Sequence, residues 1–478
     1  MSGLVFDSAR ALAARVRKRE LSSEEVVRAF IAQVERVNPK VNAIVTFLPE
    51  RAIAEAREID RRLARGEDVG PLAGLPIAYK DMIVTRGIRT TFGSPIHADH
   101  VPDTDHAIVE RLRVAGVVTL GKTNTPEFAA GSQTFNPVFG ATRNPYDLTR
   151  TCGGSSGGAA VAVACGMLPF ADGSDLGGSL RNPGNFNNVV GLRTTPGRVP
   201  YWPATDVWAT LSVLGPIART VEDAAFLLSA MAGPDPRSPI SITEPGERFA
   251  RPLERDMKGV RIAWWSSAGG CLAGADAIPV DARVSRVLER QRSVWESLGC
   301  VVEEAHPDLR GADEVFHVLR ALSFVQRYQD LLAKHRARMK DTVVWNIEQG
   351  LALDAPRIAR AMALRTDIYG RMRQFMERYD FLALPVNQVP PFPLTQPYPD
   401  AINGVALASY IDWMKSAYYI TVTSHPAISV PAGFTDDPVP LPVGLQVVGR
   451  YRDDFGVLQA ARAFEGATRV GERRPPIA

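Results

Sequence analysis

The sequence predicts an α/β fold, and three observations carry that prediction. Segments with apolar residues at helical spacing alternate with short apolar runs set off by glycine, the pattern left by strands that lie between helices. The alternation recurs along most of the 478 residues, a length that supports a large core. Composition agrees, because 45% hydrophobic and 22% charged residues with a net charge of +3 describe a soluble globular chain without the basic excess of a nucleic-acid binder.

The elements follow in chain order. Residues 1–20 (MSGLVFDSARALAARVRKRE) lack the unbroken apolar core of a secretory signal and read as an amphipathic helix begun near Ser8. Ser22 and Glu25 stand in capping-box spacing at the head of SSEEVVRAFIAQVERV, whose apolar residues keep helical intervals. A second charged helix covers residues 50–65. Gly70 and Gly74 break the pattern, and LPIAYKDMIV (75–84) follows as a buried strand end interrupted by Lys80 and Asp81. Residues 104–115 form a helix starting near Asp105, and 117–120 a four-residue strand. Residues 156–168 are small and apolar almost throughout, as a helix buried on most sides is. The longest apolar stretch, 159–171, contains Gly166 and Pro169 and falls short of the about 18 to 20 residues of a membrane span, so none is expected.

Residues 234–255, rich in Pro, Ser and charge, read as a linker or surface excursion. Beyond them come a strand at 259–265 (GVRIAWW), a long helix at 281–298 and a strand at 300–305 (CVVEEA). Helices then dominate 312–379. A strand at 381–386, a proline-rich loop to Pro399 and strands at 427–433 and 441–450 close the chain. Cys152, Cys165, Cys271 and Cys300 are scattered without a CxxC or Cys/His cluster, which suggests neither a metal site nor a disulfide framework and fits a reducing cytoplasm.

Chemistry concentrates in two glycine-flanked serines. Residues 153–158 read GGSSGG, and Ser179 follows Ser155 by 24 positions within GSDLGGSLRNPG (173–184). Glycine lets a backbone turn sharply and bring its N–H groups close to a reacting atom; the plain alternative is two flexible loops with serine as filler. GVVTLGKT (116–123) matches the phosphate-loop pattern letter for letter, but its VVTL reads as the strand itself and a helix precedes it, the reverse of a phosphate cradle. GGSSG also fits the nucleophile elbow GxSxG centred on Ser155 or Ser156, yet the turn-like NPYDLTRTC stands where that elbow needs a strand. The histidines His306, His317, His335 and His425 read as surface or packing residues.

Without a histidine, a lysine can take the serine proton. An ordinary lysine is neutral in roughly one molecule in 2,500 at pH 7, and burial can depress its pKa by several units. Lys80, set in an apolar strand, is the choice. A salt bridge to an acidic neighbour is its other reading.

Lys80, GGSSGG and GSDLGGSLR together resemble the amidase signature family of serine amidases. The resemblance extends to GKTNTPEFAAGS (121–132), NPVFGATRNP (136–145), GPIARTVEDAA (215–225) and LPVGLQVVGR (441–450), and so covers nearly the whole chain. It implies one amidase domain over residues 1–478. Within it lie an N-terminal helical segment (1–68), a signature core (69–230), a variable specificity region (231–420) and C-terminal strands with a helix (421–478). The implied fold is a mixed central β-sheet covered by helices on both faces.

By the same resemblance Ser179 is the nucleophile, Ser155 a relay held by a cis peptide after Gly154, and Lys80 the base. The backbone N–H groups of Leu176, Gly177, Gly178 and Ser179 make the oxyanion hole. Gly131 and Ser132 match a substrate-facing segment, and Trp202 and Trp208 are further candidate substrate contacts. Phe316, Tyr328, Trp345, Tyr410 and Trp413 could join them. Asp175 and Arg181 flank the loop as an ion pair or as solvated charges. The chain departs from the family pattern after the nucleophile, with Asn188 for glycine and Arg193 for lysine in PGNFNNVVGLRTT, and Leu176 stands where Thr or Ile is frequent.

The implied activity is hydrolysis of amides, aryl or bulky ones in preference, with carbamates or esters as further substrates. The partners are a small-molecule amide and water, with no cofactor, no metal, no nucleic acid and a homodimer as the default assembly. A glutaminase (A-type) subunit of a tRNA-dependent amidotransferase is the alternative.

Overall fold

The computed structural model describes residues 3–265 and 276–478, so the first two residues of the N-terminal stretch and Cys271 lie outside the described residues. The first expected helix is Ala9–Arg17, opened by the Ser8 side chain, which accepts from Ala11 N. Ser22 and Glu25 complete both arms of their capping box at the head of Ser23–Val41. Both helices bury their apolar faces, with Leu12, Val16, Val26, Phe30 and Val37 wholly covered.

Two helix readings change. The helix expected from Asp105 is Ala107–Val114, capped by the His106 ring, because the Asp105 carboxylate is taken up by Arg86 N and by Arg113. The helix expected over 281–298 is two, Ala282–Glu289 and Arg292–Ser297. Gln291 N turns tightly onto Leu288 O at 2.7 Å, and the second piece stacks the fully buried Trp295 on Phe464 at 5.1 Å. The excursion at 234–255 is packed onto the body, with Phe249 and Leu253 buried.

The centre of the fold is a mixed eight-stranded sheet in the order Val301–Glu304, Arg261–Trp264, Phe381–Pro385, Pro442–Gly449, Ala427–Phe434, Val190–Arg193, Val213–Ala218, Phe170–Asp175. The first three strands run parallel to one another, and the remaining neighbours pair antiparallel. Helices flank it, as expected of the fold. A three-stranded sheet of Ile44–Phe47, Val118–Thr123 and Pro76–Lys80 stands beside it. The VVTL strand continues through Gly121, Lys122 and Thr123. Lys122 is buried and donates to Ile83 O and, at 3.0 Å each, to the Thr85 and Thr90 hydroxyls, so the phosphate-loop letters lie in an extended strand and form no cradle. The two sheets meet where Lys80 N donates to Asp172 Oδ1 at 3.1 Å. Between them runs Gly157–Ala164, every residue of it buried. Among the described residues no helix is long and apolar enough to cross a membrane.

Candidate active site

Lys80 ends the strand Pro76–Lys80, buried at every position. Its Nζ lies 2.7 Å from Ser155 Oγ, 3.0 Å from Ser156 Oγ and 3.0 Å from Ser174 Oγ. Among the described residues no carboxylate pairs with it; the nearby Asp172 accepts from the Lys80 backbone N–H instead. The salt-bridge reading of Lys80 therefore gives way. Burial depresses the Lys80 pKa to about 7, against the opposing pull of Asp172 and Asp175. The depression brings the neutral amine within reach at neutral pH.

The peptide between Gly154 and Ser155 is cis. Three side chains hold the turn: Thr134 Oγ1 donates to Gly153 O at 2.8 Å, Ser132 Oγ donates to Gly154 O at 2.5 Å, and Asn182 Nδ2 donates to Ser132 Oγ at 3.0 Å. Ser156 N donates to Ser179 O at 3.2 Å, which ties the two serine loops together. Ser179 itself is half-buried, and no hydrogen bond to a described residue engages its hydroxyl.

The Ser179 loop is shaped by one carboxylate. Asp175 Oδ1 accepts from Gly178 N at 2.8 Å, Oδ2 accepts from Leu180 N at 3.2 Å, and Arg181 grips both oxygens at 2.9 and 3.0 Å. Arg193 adds a contact at 3.3 Å, and all three side chains are fully buried. Burial would raise the Asp175 carboxyl, but the two guanidiniums overcome it and hold the group well below the usual carboxylate range. Of the two readings for Asp175 and Arg181, the ion pair stands. Arg181 Nη1 also donates to Ala417 O at 2.7 Å and Gln446 Oε1 at 2.6 Å, so the loop is bolted to the C-terminal strands. Removing Arg181 leaves the buried Asp175 carboxylate with the more distant Arg193 as its one counter-charge among the described residues and leaves Ala417 O and Gln446 Oε1 without their donor. Arg181→Gln is therefore expected to cost about 3 to 5 kcal/mol of stability, read by urea unfolding; a loss under about 1 kcal/mol, the scale of a surface pair, would contradict this account.

One expected oxyanion donor is corrected. Gly178 N–H is already given to Asp175 Oδ1, so of the four expected donors only those of Leu176, Gly177 and Ser179 stay candidates. Gly178 has a φ of +111°, and a Cβ there would lie 2.4 Å from Asn182 Oδ1; its task is the turn. Gly177 and Leu176 are half-buried, open enough for a ligand to reach.

The expected substrate contacts divide. Gly131 is half-buried, and a Cβ on it would lie 3.6 Å from the Tyr410 ring. Ser132 is buried, and its hydroxyl donates to Gly154 O. The half-buried Trp202 carries the Arg237 guanidinium 4.4 Å above its ring, and Trp208 is 68% exposed. Among the other aromatics, Phe316 stands against the Ser179 loop, where a Cβ on Gly177 would meet it at 2.9 Å. Trp413 stacks on Phe186 in the core, and Tyr328 packs on Phe128.

Sequence reasoning missed Ser174 and Ser156 as neighbours of the Lys80 amine, and Asp172 as the anchor of its backbone. Ser156 is visible in GGSSGG, but no spacing rule brings a hydroxyl from another loop onto a lysine. Thr134 and Asn182, which brace the cis turn, carry no signal at all.

The description "Amidase" attaches to the family model that matches residues 25–458. Over 472 residues the chain is 37% identical to the acylamidase of Rhodococcus erythropolis, covering 98% of this chain and 97% of that protein. It is also 37% identical over 498 residues to the A-type subunit of the glutamyl-tRNA(Gln) amidotransferase of Moorella thermoacetica, covering 99% of each. Among solved structures, a bacterial aryl acylamidase of the amidase signature family superposes with a TM-score of 0.89 at 29% identity, covering 98% of both chains. The 6-aminohexanoate cyclic dimer hydrolase in complex with substrate gives 0.88 at 26% identity, covering 99% of both.

Proposed function

The chain belongs to the amidase family and is an amide hydrolase, and on that footing we propose that it cleaves aryl or bulky carboxylic amides through an acyl-enzyme on Ser179. The observation that carries the reading is the buried Lys80 amine, depressed to about 7 by its surroundings and 2.7 Å from Ser155 Oγ. A neutral amine there accepts the Ser155 proton while Ser155 accepts that of Ser179, and the freed Ser179 oxygen bonds the carbonyl carbon. The negative charge that develops on the carbonyl oxygen is met by the N–H groups of Leu176, Gly177 and Ser179, each well-placed donor contributing about 3 to 4 kcal/mol. Collapse breaks the C–N bond, and the proton returns from Lys80 through Ser155 to the departing nitrogen. Water then follows the same relay in, freeing the carboxylic acid and restoring Ser179.

The likeness to an acylamidase and an aryl acylamidase supports amides with an aryl amine. Likeness of equal strength to an amidotransferase component keeps a second reading, a glutaminase that feeds ammonia to a partner. Both are tested by one panel of anilides, aliphatic amides, carbamates, esters and glutamine assayed on the purified chain. Anilides are expected to be turned over with a kcat/KM at least about tenfold above glutamine, a margin of about 1.4 kcal/mol in transition-state binding. Glutamine as the sole good substrate would move the assignment to the amidotransferase reading.

A further inference from the structure

A cavity of about 630 Å³ opens along the helix Ala312–His335 and is bounded in part by Arg320 and Asn346. Two neighbours of its lining residues, themselves outside the lining, reach toward the Ser179 loop and the Gly131 segment. Phe316, one turn before Arg320, stands against Gly177, and Tyr410 stands against Gly131.

Arg320 is the unusual member of this wall. It is 6% exposed, its Nε is buried without a hydrogen-bond partner, and among the described residues its guanidinium meets no carboxylate. It lies over the rings of Phe324 and Tyr410, at 4.7 and 5.7 Å, and donates to Tyr410 Oη. Asn346 Nδ2 donates to the same oxygen at 2.6 Å. With two donors on its oxygen, the Tyr410 hydroxyl keeps its own proton to give, and no described residue accepts it. The carboxylates of the wall are all engaged elsewhere. Asp313 accepts from Tyr418 Oη at 2.5 Å and lies 3.5 Å from Lys415 Nζ. Asp412 accepts from Ser409 Oγ at 2.7 Å, Glu314 pairs with Arg360 at 2.8 Å, and Asp276 accepts from Gly311 N at 3.2 Å. A second cation, Lys340, donates to Ala130 O at 3.3 Å beside Gly131 and has no ion pair among the described residues.

A buried guanidinium without a counter-charge is costly unless a ligand supplies one. Beside it stands a hydroxyl proton without an acceptor, and a carboxylate accepts from both. We propose that Arg320 and the Tyr410 hydroxyl bind a carboxylate on the acyl part of the amide substrate, remote from the scissile bond, with Asn346 positioning the tyrosine. This rests on the reading of Ser179 as an amide-hydrolysing nucleophile and narrows its substrate class to amides that carry a free carboxylate.

The test pairs two anilides of equal carbon chain, the mono-anilide of glutaric acid and pentananilide, which has a methyl in place of the carboxylate. Wild-type kcat/KM is expected to favour the carboxylate by about 30-fold, the scale of hydrogen bonds to a charged group. In Arg320→Gln that ratio is expected to fall to within about threefold of unity through a rise in KM, and Arg320→Lys retains part of it. No preference in the wild type, or the same ratio in Arg320→Gln, overturns the proposal. Should Arg320→Gln fail to fold, as read by circular dichroism, the lysine variant decides, because an unchanged ratio there overturns it too.

A calorimetric titration of the Ser179→Ala protein with glutarate keeps this proposal separate from the hydrolytic one. Binding that weakens in the Arg320→Lys/Ser179→Ala double variant supports the subsite even if neither anilide is hydrolysed. No binding overturns it even if both are.

Discussion

Ser179→Ala is expected to lower kcat for a chromogenic anilide by about 10⁴-fold or more while leaving the unfolding midpoint within about 2 °C of wild type. The two halves of the expectation have separate causes. A serine nucleophile and its base act as a unit, so losing the attacking oxygen removes nearly the whole covalent route, and only the oxyanion donors and substrate binding remain to speed direct attack by water. Stability is spared because Ser179 is half-buried and its hydroxyl holds no described partner, so the change neither strands a buried polar group nor opens a packed core. Steady-state turnover of a nitroanilide, thermal unfolding and mass spectrometry of a quenched reaction check it together, the wild type carrying a covalent acyl group and the variant none. Turnover above about a hundredth of wild type would remove Ser179 from the nucleophile's place.

Lys80 carries the second large effect. Lys80→Ala is expected to reduce kcat by about 10³-fold, within the range for a single positioned general base, and the wild-type pH profile should bear its signature. The base works only when neutral. Its pKa is depressed to about 7, so below pH 7 most molecules hold a protonated amine, and log kcat/KM rises with a slope near one as pH increases. Above about pH 8 the amine is neutral throughout, and this limb levels off. An ordinary lysine would place the same rise near pH 10.4. A profile that is flat from pH 5.5 to 8, or still climbing at pH 9, would be incompatible with Lys80 as the base.

The parts of the fold that are legible in the sequence are those whose signals are short. Ser22 and Glu25 announce their helix because both arms of a capping box lie within four residues. The strand ending at Lys80 shows because its apolar run stops at two charges. The strand Phe170–Asp175 is harder to see: its sequence, FADGSD, has neither β-branched residues nor alternation, and it is a strand because Val213–Ala218 pairs with it along its whole length. The stretch 281–298 reads as one helix because its periodicity continues across Arg290 and Gln291, and the break depends on the burial of Trp295, a tertiary matter.

The candidate site divides in the same way. Lys80, Ser155 and Ser179 are marked by motifs, and the structure brings Lys80 and Ser155 into contact. The aromatic residues are marked only by composition, and composition carries no direction. Phe316 and Tyr410 stand by the catalytic loops, whereas Trp208 stands in solvent. Asp175 reads in the sequence as a flanking charge; three-dimensional packing makes it the hub of two arginines and the competitor for Gly178 N–H.

By itself the sequence determined the family, the fold class, most of the main helices and five of the eight strands of the central sheet, and it marked the serines and the lysine as candidates, because each of these is written in residues close together or in motifs of fixed order. Only the tertiary structure decided the state of the lysine and the company it keeps. Lys80 and Ser155 are 75 positions apart, and Lys80 and Ser174 are 94 apart. Their approach, and the loss of water that depresses the amine, exist only once both sheets and the buried helix between them have packed.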